Sequence, residues 1–484
     1  GMARGLGKFG VVLGADVVYS VASAPVLLRA AESLLSADDG SCIVLAYVSR
    51  WPQVDAALVE AADKLGLSMV EVPSGEFLSD GEVAVRDEAC LGDSAIYIVT
   101  RRGQSCSAIT EWMGKVEVSE AGEMTVTASE VAAGILEGGQ AISGDAVRML
   151  TVKHSGALTL TRGGCEAVSA AMARWGGGLV SLRLEGQRIG AESAECLVHG
   201  IALCTGLTCL ALPGSCVGSK GIKGLCHLLS GRSGGGGHQL RELDVGGNGI
   251  GDEGLTCLND LLGMGEMRRL LLSLNRMTDS GIAALSKHLP ETLEALDLSS
   301  NAVSSQGVEA LMLQATLLPN LTSLDLSFCA LYSQGAEALA NGMKHMHKLS
   351  SLRLRSCWLS DDGVIEISIG MPLCPLRELD LSSNGVGCLG ACSLAEALGE
   401  LTQSPQEDDT LSLVLQRNSI QGEGAKSLVH ASGTCAVGVV VDIKDNPLGE
   451  EGGLMLVQDL SMPFVLPERG ARRGRVELSA CGIG

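Results

Sequence analysis

The chain has 484 residues, 46% of them apolar and 2% aromatic, and a formal net charge of −21. That length implies two or more domains with aliphatic cores, and that acidity excludes a general nucleic-acid binder, because phosphate repels an acidic surface. Sixty-four glycines without a collagen period imply many tight turns.

The 17 cysteines are an odd number and lack zinc spacing: Cys388 and Cys392 stand four apart, Cys204 and Cys209 five. They read as reduced thiols with no metal, which places the protein in the cytoplasm or nucleus. No apolar run approaches the roughly 20 clean residues of a membrane helix, so no membrane is expected as a partner.

The first stretch with a motif is G-L-G-K-F-G (5–10). A glycine fingerprint cradles phosphate only when a strand feeds it and a helix starts on it. Here GMAR precedes and the strand-like Val11-Val12-Leu13 follows, so the stretch reads as a leader. Arg4 and Lys8 before an apolar run, with Ala22-Ser23-Ala24 after it, have the look of a secretory signal. Asp16 interrupts that run, and the thiols argue for a reducing compartment.

Next comes an apolar strand from Phe9 to Val12, a small-residue turn at Gly14-Ala15-Asp16, and a helix over 24–36. A strand over 41–49, a helix over 53–66, a strand over 67–73 and a strand over 94–102 follow. The order β-α-β-α-β-β predicts a parallel α/β layout with a late hairpin.

FGVVLGADVVY (9–19), with Leu45-Ala46-Tyr47 and Arg50, resembles the region after strand four of the family-16 seven-strand methyltransferases, the protein-lysine methyltransferases with a D-x-x-Y motif. The resemblance covers roughly residues 9–102. It implies a partial Rossmann-like sheet, strands four to seven, and S-adenosylmethionine chemistry on a protein lysine. Asp16 would orient the lysine amine and favour loss of its proton, and Tyr19 would line the slot. Gly14 and Ala15 would keep the backbone close to the cofactor. The alternative is that Asp16 caps a turn and Tyr19 is core. The family's glycine-rich loop and acidic ribose ligand would both precede residue 9, and Gly10 stands where the family has Asp. The expectation is therefore no cofactor in this chain as given, and S-adenosylmethionine if a missing N-terminal half completes the site.

Residues 103–145 turn polar and small and read as a connector, with alternating runs KVEVS and EMTVTAS that suit a hairpin and a helix at TASEVAAGIL. Residues 146–178 read as an irregular N-terminal cap on a repeat region.

From about residue 179 the chain repeats itself. LRELDVGGNGIGDEG (240–254), LEALDLSSNAVSSQG (293–307) and LRELDLSSNGVGCLG (376–390) share the frame L-x-x-L-x-L-x-x-N, with a glycine six residues after the Asn. The anchor positions are Gln187, Ser215, Asn248, Asn275, Asn301, Cys329, Cys357, Asn384, Asn418, Asn446 and Cys481. The glycines run from Gly221 through Gly254, Gly281, Gly307, Gly335, Gly363, Gly390 and Gly424 to Gly452. This pattern resembles the leucine-rich repeat of the ribonuclease-inhibitor kind, over about 305 residues. The physics of the frame is a short parallel strand with leucines inward, an Asn that turns in to bond backbone groups, and a helix on the outer side. Each buried Leu contributes about 1.5–3 kcal/mol. The polar stretches 230–239 and 402–409 read as rim insertions. The chain stops just after a repeat strand, so its C-terminus reads as cut.

The residue between the last two leucines of each frame points to the concave side of an α/β solenoid. That position holds Asp244, Asp297, Asp325, Asp380 and Asp442, with Arg183 and Arg353. Five carboxylates in one stripe would focus negative potential on a protein partner, and favour a basic one. The alternative is a solvated consensus feature of the repeat. His345 and His347 read as side chains of an outer helix, and the arginines at 469, 472, 473 and 475 as a solvated loop.

Three functions compete. The first is a protein-interaction scaffold fused to an inactive methyltransferase remnant. The second is a lysine methyltransferase whose repeats recruit its substrate and which is active only in a longer form. The third is a regulator of a small GTPase.

Overall fold

The computed structural model describes residues 11–15, 23–34, 42–48, 52–72, 94–101, 123–127, 147–153, 160–229, 240–263, 266–401, 410–435, 438–449 and 475–477. The chain divides into two compact units, Gly1–Val217 with Gly231–His238, and Gly218–Ser230 with Gln239–Gly484.

The first unit opens with β1 (Val11–Ala15), a helix Ser23–Leu34, β2 (Cys42–Val48), a helix Pro52–Lys64, β3 (Leu67–Val72) and β4 (Ser94–Arg101). All but β1 lie within about two residues of the expected elements, because β-branched runs alternate with helical spacing; β1 runs three residues past the expected Val12 and takes in Gly14 and Ala15, which were expected in a turn. Leu28 and Ala31 face inward from one helix and Leu58, Ala61 and Ala62 from the next, three and four residues apart. The strands stand in the order β1-β2-β4-β3. β1 and β2 run parallel, and β4 runs antiparallel to both β2 and β3. The late hairpin of the sequence is the β3–β4 pair, with β4 set between its partners.

A second ladder in this unit corrects the reading of residues 103–178. β5 (Glu123–Thr127) pairs in parallel with β6 (Met149–Lys153), which pairs with β7 (Ser181–Leu184), and β7 with β8 (Cys209–Ala211). EMTVT is therefore a strand with a parallel partner in β6; KVEVS, the other half of the expected hairpin, lies outside the described residues. Met124 and Val126 are 1% exposed, while Glu123 and Thr125 between them face water. The stretch expected as an irregular cap is a regular strand–helix unit. The helix Arg162–Trp175 buries Cys165, Val168, Ala171, Met172 and Trp175, spaced three and four apart. Thr161 caps it, its Oγ1 accepting from Gly164 N at 3.3 Å. The helix expected at TASEVAAGIL lies outside the described residues.

The second unit begins with the helix Gly218–Leu229 and alternates strand and helix thereafter: β9 (Glu242–Asp244), Gly251–Leu262, β10 (Arg269–Leu271), Asp279–Leu285, β11 (Ala295–Asp297), Ser305–Met312, β12 (Ser323–Asp325), Tyr332–Met343, β13 (Ser351–Arg353) and Ser360–Gly370. It continues with β14 (Glu378–Asp380), Cys388–Glu400, β15 (Thr410–Val414), Gly422–Thr434, β16 (Gly438–Asp442) and β17 (Arg475–Glu477). The strands from β9 to β17 are parallel and in one register, so Leu243, Leu270, Leu296, Leu324, Leu352, Leu379, Leu413, Val441 and Val476 form a single row. The leucines of that row are at most 1% exposed.

The anchor residues hold this stack. Asn275 is fully buried. Its Nδ2 donates to the carbonyls of Val245, Leu272 and Ser273 at 2.9, 3.1 and 3.1 Å. Its Oδ1 accepts from the N–H groups of Asn248 and Ile250 at 3.0 and 3.3 Å. One amide thus satisfies groups of two successive repeats that the turn leaves unpaired. Asn301, Asn384 and Asn418 repeat the pattern. Cys329 and Cys357 stand in for it with the donor half: their thiols reach Leu298 O at 3.5 Å and Leu326 O at 3.2 Å. Burial pushes the Cys329 thiol up to about 11, so it stays protonated and able to donate. Gln187 reaches the same kind of backbone group in the first unit, accepting from Leu160 N at 2.8 Å. Cys481 lies outside the described residues, as do 230–239 and 402–409.

From Gly221 to Gly424 the repeating glycine sits in the first turn of each helix. Its role is close approach between neighbouring helices. A Cβ on Gly424 would come within 3.0 Å of both Cys388 Cα and Ala391 Cβ. No helix of the described residues is long and apolar enough to cross a membrane.

Candidate functional site

The strand face of the second unit brings most of the predicted stripe into one row. Across the ladder the row reads Asp244, Leu271, Asp297, Asp325, Arg353, Asp380, Val414, Asp442. Leu271, Arg353 and Val414 interrupt it, so the carboxylates are grouped rather than continuous. Asp297 and Asp325 are direct neighbours, and Arg353 separates them from Asp380. Arg183 lies in the first unit, between Thr151 and Ala211 on the flanking strands, and is described there alone.

Each aspartate has a local structural task. The Oδ1 of Asp244, Asp297, Asp325, Asp380 and Asp442 accepts from the backbone N–H two residues on, at 3.0, 2.9, 2.9, 2.9 and 3.1 Å. These Asx turns bend the chain out of the strand toward the anchor. The consensus character of the L-D-L position has this cause, and it uses one carboxylate oxygen, leaving the second available to a partner where no side chain takes it. Asp442 has given its second oxygen to Gln416 Nε2 at 2.7 Å and Lys444 Nζ at 3.1 Å.

The charges of this row act on one another. Burial pushes the Asp325 carboxyl up; hydrogen bonds from Ser327 pull against that, and the Asp297 charge adds to it. Arg353 is held in a fork by Glu378, with Nε to Oε1 at 2.9 Å and Nη2 to Oε2 at 2.8 Å. Ser351 Oγ also donates to Glu378 Oε2, at 2.7 Å. Burial would raise Glu378, but the hydrogen bonds from Arg353 and Ser351 and the Arg353 charge win, and its carboxyl is held below the ordinary value. The one cation of the central row is thus spoken for by Glu378.

Sequence reasoning missed two groups. The first is a set of caps between repeats. Asp279 Oδ1 accepts from Ser304 N at 2.7 Å and Gly307 N at 3.0 Å, and Asp361 Oδ1 from Gly387 N at 2.6 Å and Gly390 N at 3.0 Å. Asp252 does the same for Thr278 N at 2.8 Å. An aspartate two residues before the repeating glycine was the available signal. The second group lies on the turns that leave the strands. Phe328, Tyr332 and Trp358 are 53, 51 and 70% exposed, and the Arg355 guanidinium sits 5.7 Å from the Phe328 ring centroid.

His345 and His347 are exposed, in the turn that follows the helix Tyr332–Met343 rather than on it. Arg469, Arg472 and Arg473 lie outside the described residues, and Arg475 opens β17. Among the described residues no group of three or more His, Cys, Asp or Glu side chains could hold a metal ion. At the other end of the chain, Gly14 and Ala15 close β1 opposite Leu45 and Ala46 of β2. Asp16, Tyr19 and Arg50 lie outside the described residues. Gly14 and Ala15 carry no side chain that could bind a ribose or a carboxylate.

Comparison with known proteins agrees with this repeat. Residues 238–258, 290–312, 318–340, 345–368 and 373–395 match the family model described as Leucine Rich repeat. The chain carries leucine-rich repeats in an α/β arrangement. No curated protein matches it. Among solved structures, a chain of the yeast Rad7–Elc1 complex aligns with 16% identity and a TM-score of 0.40, over 73% of this chain and 83% of that one. A chain of the octameric complex of Latrophilin 3, Unc5D and FLRT2 aligns with 13% identity and a TM-score of 0.34, over 68% of this chain and 88% of that one. An internalin, InlF, from Listeria monocytogenes aligns with 16% identity and a TM-score of 0.31, over 66% of this chain and 88% of that one.

Proposed function

We propose that this chain is a protein-interaction scaffold whose strand face in the second unit takes a basic partner. The observation that carries the reading is the row Asp297–Asp325–Arg353–Asp380, in which Glu378 occupies the only cation. Rigid strands fix these groups, and the buried anchors Asn301, Cys329, Cys357 and Asn384 hold the strands, so little ordering cost falls on binding. Opposite potential on a partner would speed its approach and set its register. The spacing near 28 residues and a helix in each fully described repeat of the second unit support the ribonuclease-inhibitor kind of repeat.

The test compares quantitative affinity capture by the full chain with capture by the triple variant D297N/D325N/D380N. The proposal expects the variant to lose the partners held by wild type, and the lost proteins to contact it through Lys- and Arg-bearing segments. An unchanged set of captured proteins rejects it.

A second reading concerns residues 9–102. The parallel β1–β2 pair and the β3–β4 hairpin support a partial methyltransferase-like sheet, with Asp16 and Tyr19 as its catalytic pair and Gly14 and Ala15 beside the donor. On this reading the rest of the donor site would come from a segment outside this chain. Titration of the chain with S-adenosylmethionine in a calorimeter tests it: no heat is expected from this chain alone, and micromolar binding would overturn the reading.

A further inference from the structure

Aromatic residues make up 2% of the chain, and among the described residues the core of the second unit is built without them. The aromatics among its described residues are Phe328, Tyr332 and Trp358, and all three are exposed. They fall in two successive repeats. The backbone joins their turns: Phe328 N–H donates to Arg355 O at 2.7 Å, and Tyr332 N–H to Cys357 O at 3.2 Å. Arg355 completes the group over the Phe328 ring. Its Nε is buried and has no hydrogen-bond partner.

The backbone at these positions makes the choice of residue informative. Phe328, Tyr332 and Trp358 have φ of 60°, 51° and 59°, in the left-handed region that bulky side chains disfavour. Several repeats share that conformation. At the place of Phe328, one before the anchor, other repeats carry Gly247, Ser300 and Ser383, but also Leu274, Arg417 and Asp445; at the place of Trp358, Gly249, Gly385 and Arg276; at the place of Tyr332, Gly251 and Ser360. Small residues are frequent at these places, although Leu274, Arg276 and Arg417 are borne there too, and among the described residues only these two repeats put an exposed ring there. Strain of this kind that serves no packing points to function. Exposed Trp and Tyr beside a half-buried Arg, held on a rigid frame, have the composition of an interface hot spot.

We propose that Phe328, Tyr332, Trp358 and Arg355 anchor a basic protein segment that also carries aliphatic side chains. The proposal rests on the strand-face reading above and adds to it where the partner is gripped. Charge complementarity selects the occupant: the row beside the rings holds Asp297, Asp325 and Asp380, the Arg353 charge is taken up by Glu378, and the whole chain carries −21. An extended segment with alternating cationic and aliphatic residues would lay cations on the carboxylates and rings and its apolar side chains against Phe328 and Trp358.

The experiment is calorimetric titration of the full chain with three twelve-residue peptides: alternating Arg and Leu, alternating Arg and Gly, and alternating Glu and Leu. The variants are F328S/Y332S/W358G, which borrows residues the neighbouring repeats use at these places, and D297N/D325N/D380N. A urea midpoint at or above that of wild type shows that the first variant is folded. The proposal expects the Arg–Leu peptide to bind, the Arg–Gly peptide to bind about tenfold more weakly or worse, and the Glu–Leu peptide to fail. It expects the ring variant and the carboxylate variant each to weaken Arg–Leu binding about tenfold or more. If the carboxylate variant loses binding and the ring variant keeps it, the strand-face reading stands and the anchor is wrong. If the ring variant loses binding and the carboxylate variant keeps it, the choice of a basic partner is wrong. Failure of the Arg–Leu peptide to bind, or equal binding of the Glu–Leu peptide, overturns the proposal outright.

Discussion

Truncating Asn384 to alanine should remove more stability than any surface change in the second unit. Asn384 is 4% exposed, and its Nδ2 donates to Leu354 O, Leu381 O and Ser382 O at 2.7, 3.0 and 3.3 Å. Its Oδ1 accepts from Cys357 N and Leu359 N at 2.8 and 3.4 Å. Two of the carbonyls keep other donors after truncation: Leu381 O has Asn418 Nδ2 at 3.0 Å, and Ser382 O has Ser356 N at 2.9 Å. Leu354 O and the two N–H groups have none to replace it. Three stranded backbone groups at about 1–3 kcal/mol each, less some relaxation, give about 3–5 kcal/mol. Asn384→Cys restores the donor half, as Cys357 does for Leu326 O at 3.2 Å, and should cost about 2 kcal/mol. Urea unfolding followed by far-ultraviolet circular dichroism measures both, and hydrogen exchange should show the Cys357 and Leu359 amides losing protection first. An Asn384→Ala cost below about 0.5 kcal/mol, or a cysteine variant weaker than the alanine one, would refute the argument.

Other predictions rest on the same geometry. Gly424→Ala would press a methyl to 3.0 Å from Cys388 Cα and Ala391 Cβ, and should cost about 1–3 kcal/mol in urea unfolding, against a smaller change at the solvent-side Gly399, where nothing lies within 4 Å. Asp361→Ala strips the N–H groups of Gly387 and Gly390 of their acceptor and should cost about 0.5–2 kcal/mol. Asp325→Asn tests a pH effect whose sign is fixed. The Asp325 carboxyl is raised in the folded state, so the folded chain binds its proton more readily than the unfolded one, and stability falls as pH rises from the ordinary carboxylate value through the raised one. The neutral variant should therefore have a higher urea midpoint than wild type at pH 7 and the same midpoint at pH 3. A variant less stable at pH 7 would contradict it.

The repeat was legible because its key positions demand particular side chains. Most anchors carry a buried amide that both donates and accepts, with Cys329 and Cys357 supplying the donor half, and Leu fills most places in the row beneath, so the frame survives in the letters. β5 and β6 were not legible as part of a ladder, since Met124, Val126, Leu150 and Val152 fill the core without an Asn to mark the turn. Their parallel pairing joins residues more than twenty apart, and alternation alone does not choose a partner. The aspartate row was legible in part. Sequence gives its members, but the breaks at Leu271 and Val414 and the turn-forming role of each Oδ1 depend on register. Phe328, Tyr332 and Trp358 went unread because they occupy variable positions of the frame. Only the left-handed backbone there separates a costly ring from an idle one.

The central claim is that partners meet the strand face of the second unit rather than its outer helices. The most direct measurement places a photoreactive benzoylphenylalanine at Ser323 on β12 in one chain and at the exposed Glu396 of the helix Cys388–Glu400 in another, and compares their cross-links in cells. The account predicts discrete protein adducts from position 323, lost when D297N, D325N and D380N are added, and none from position 396. Adducts from position 396 with none from 323 would contradict it.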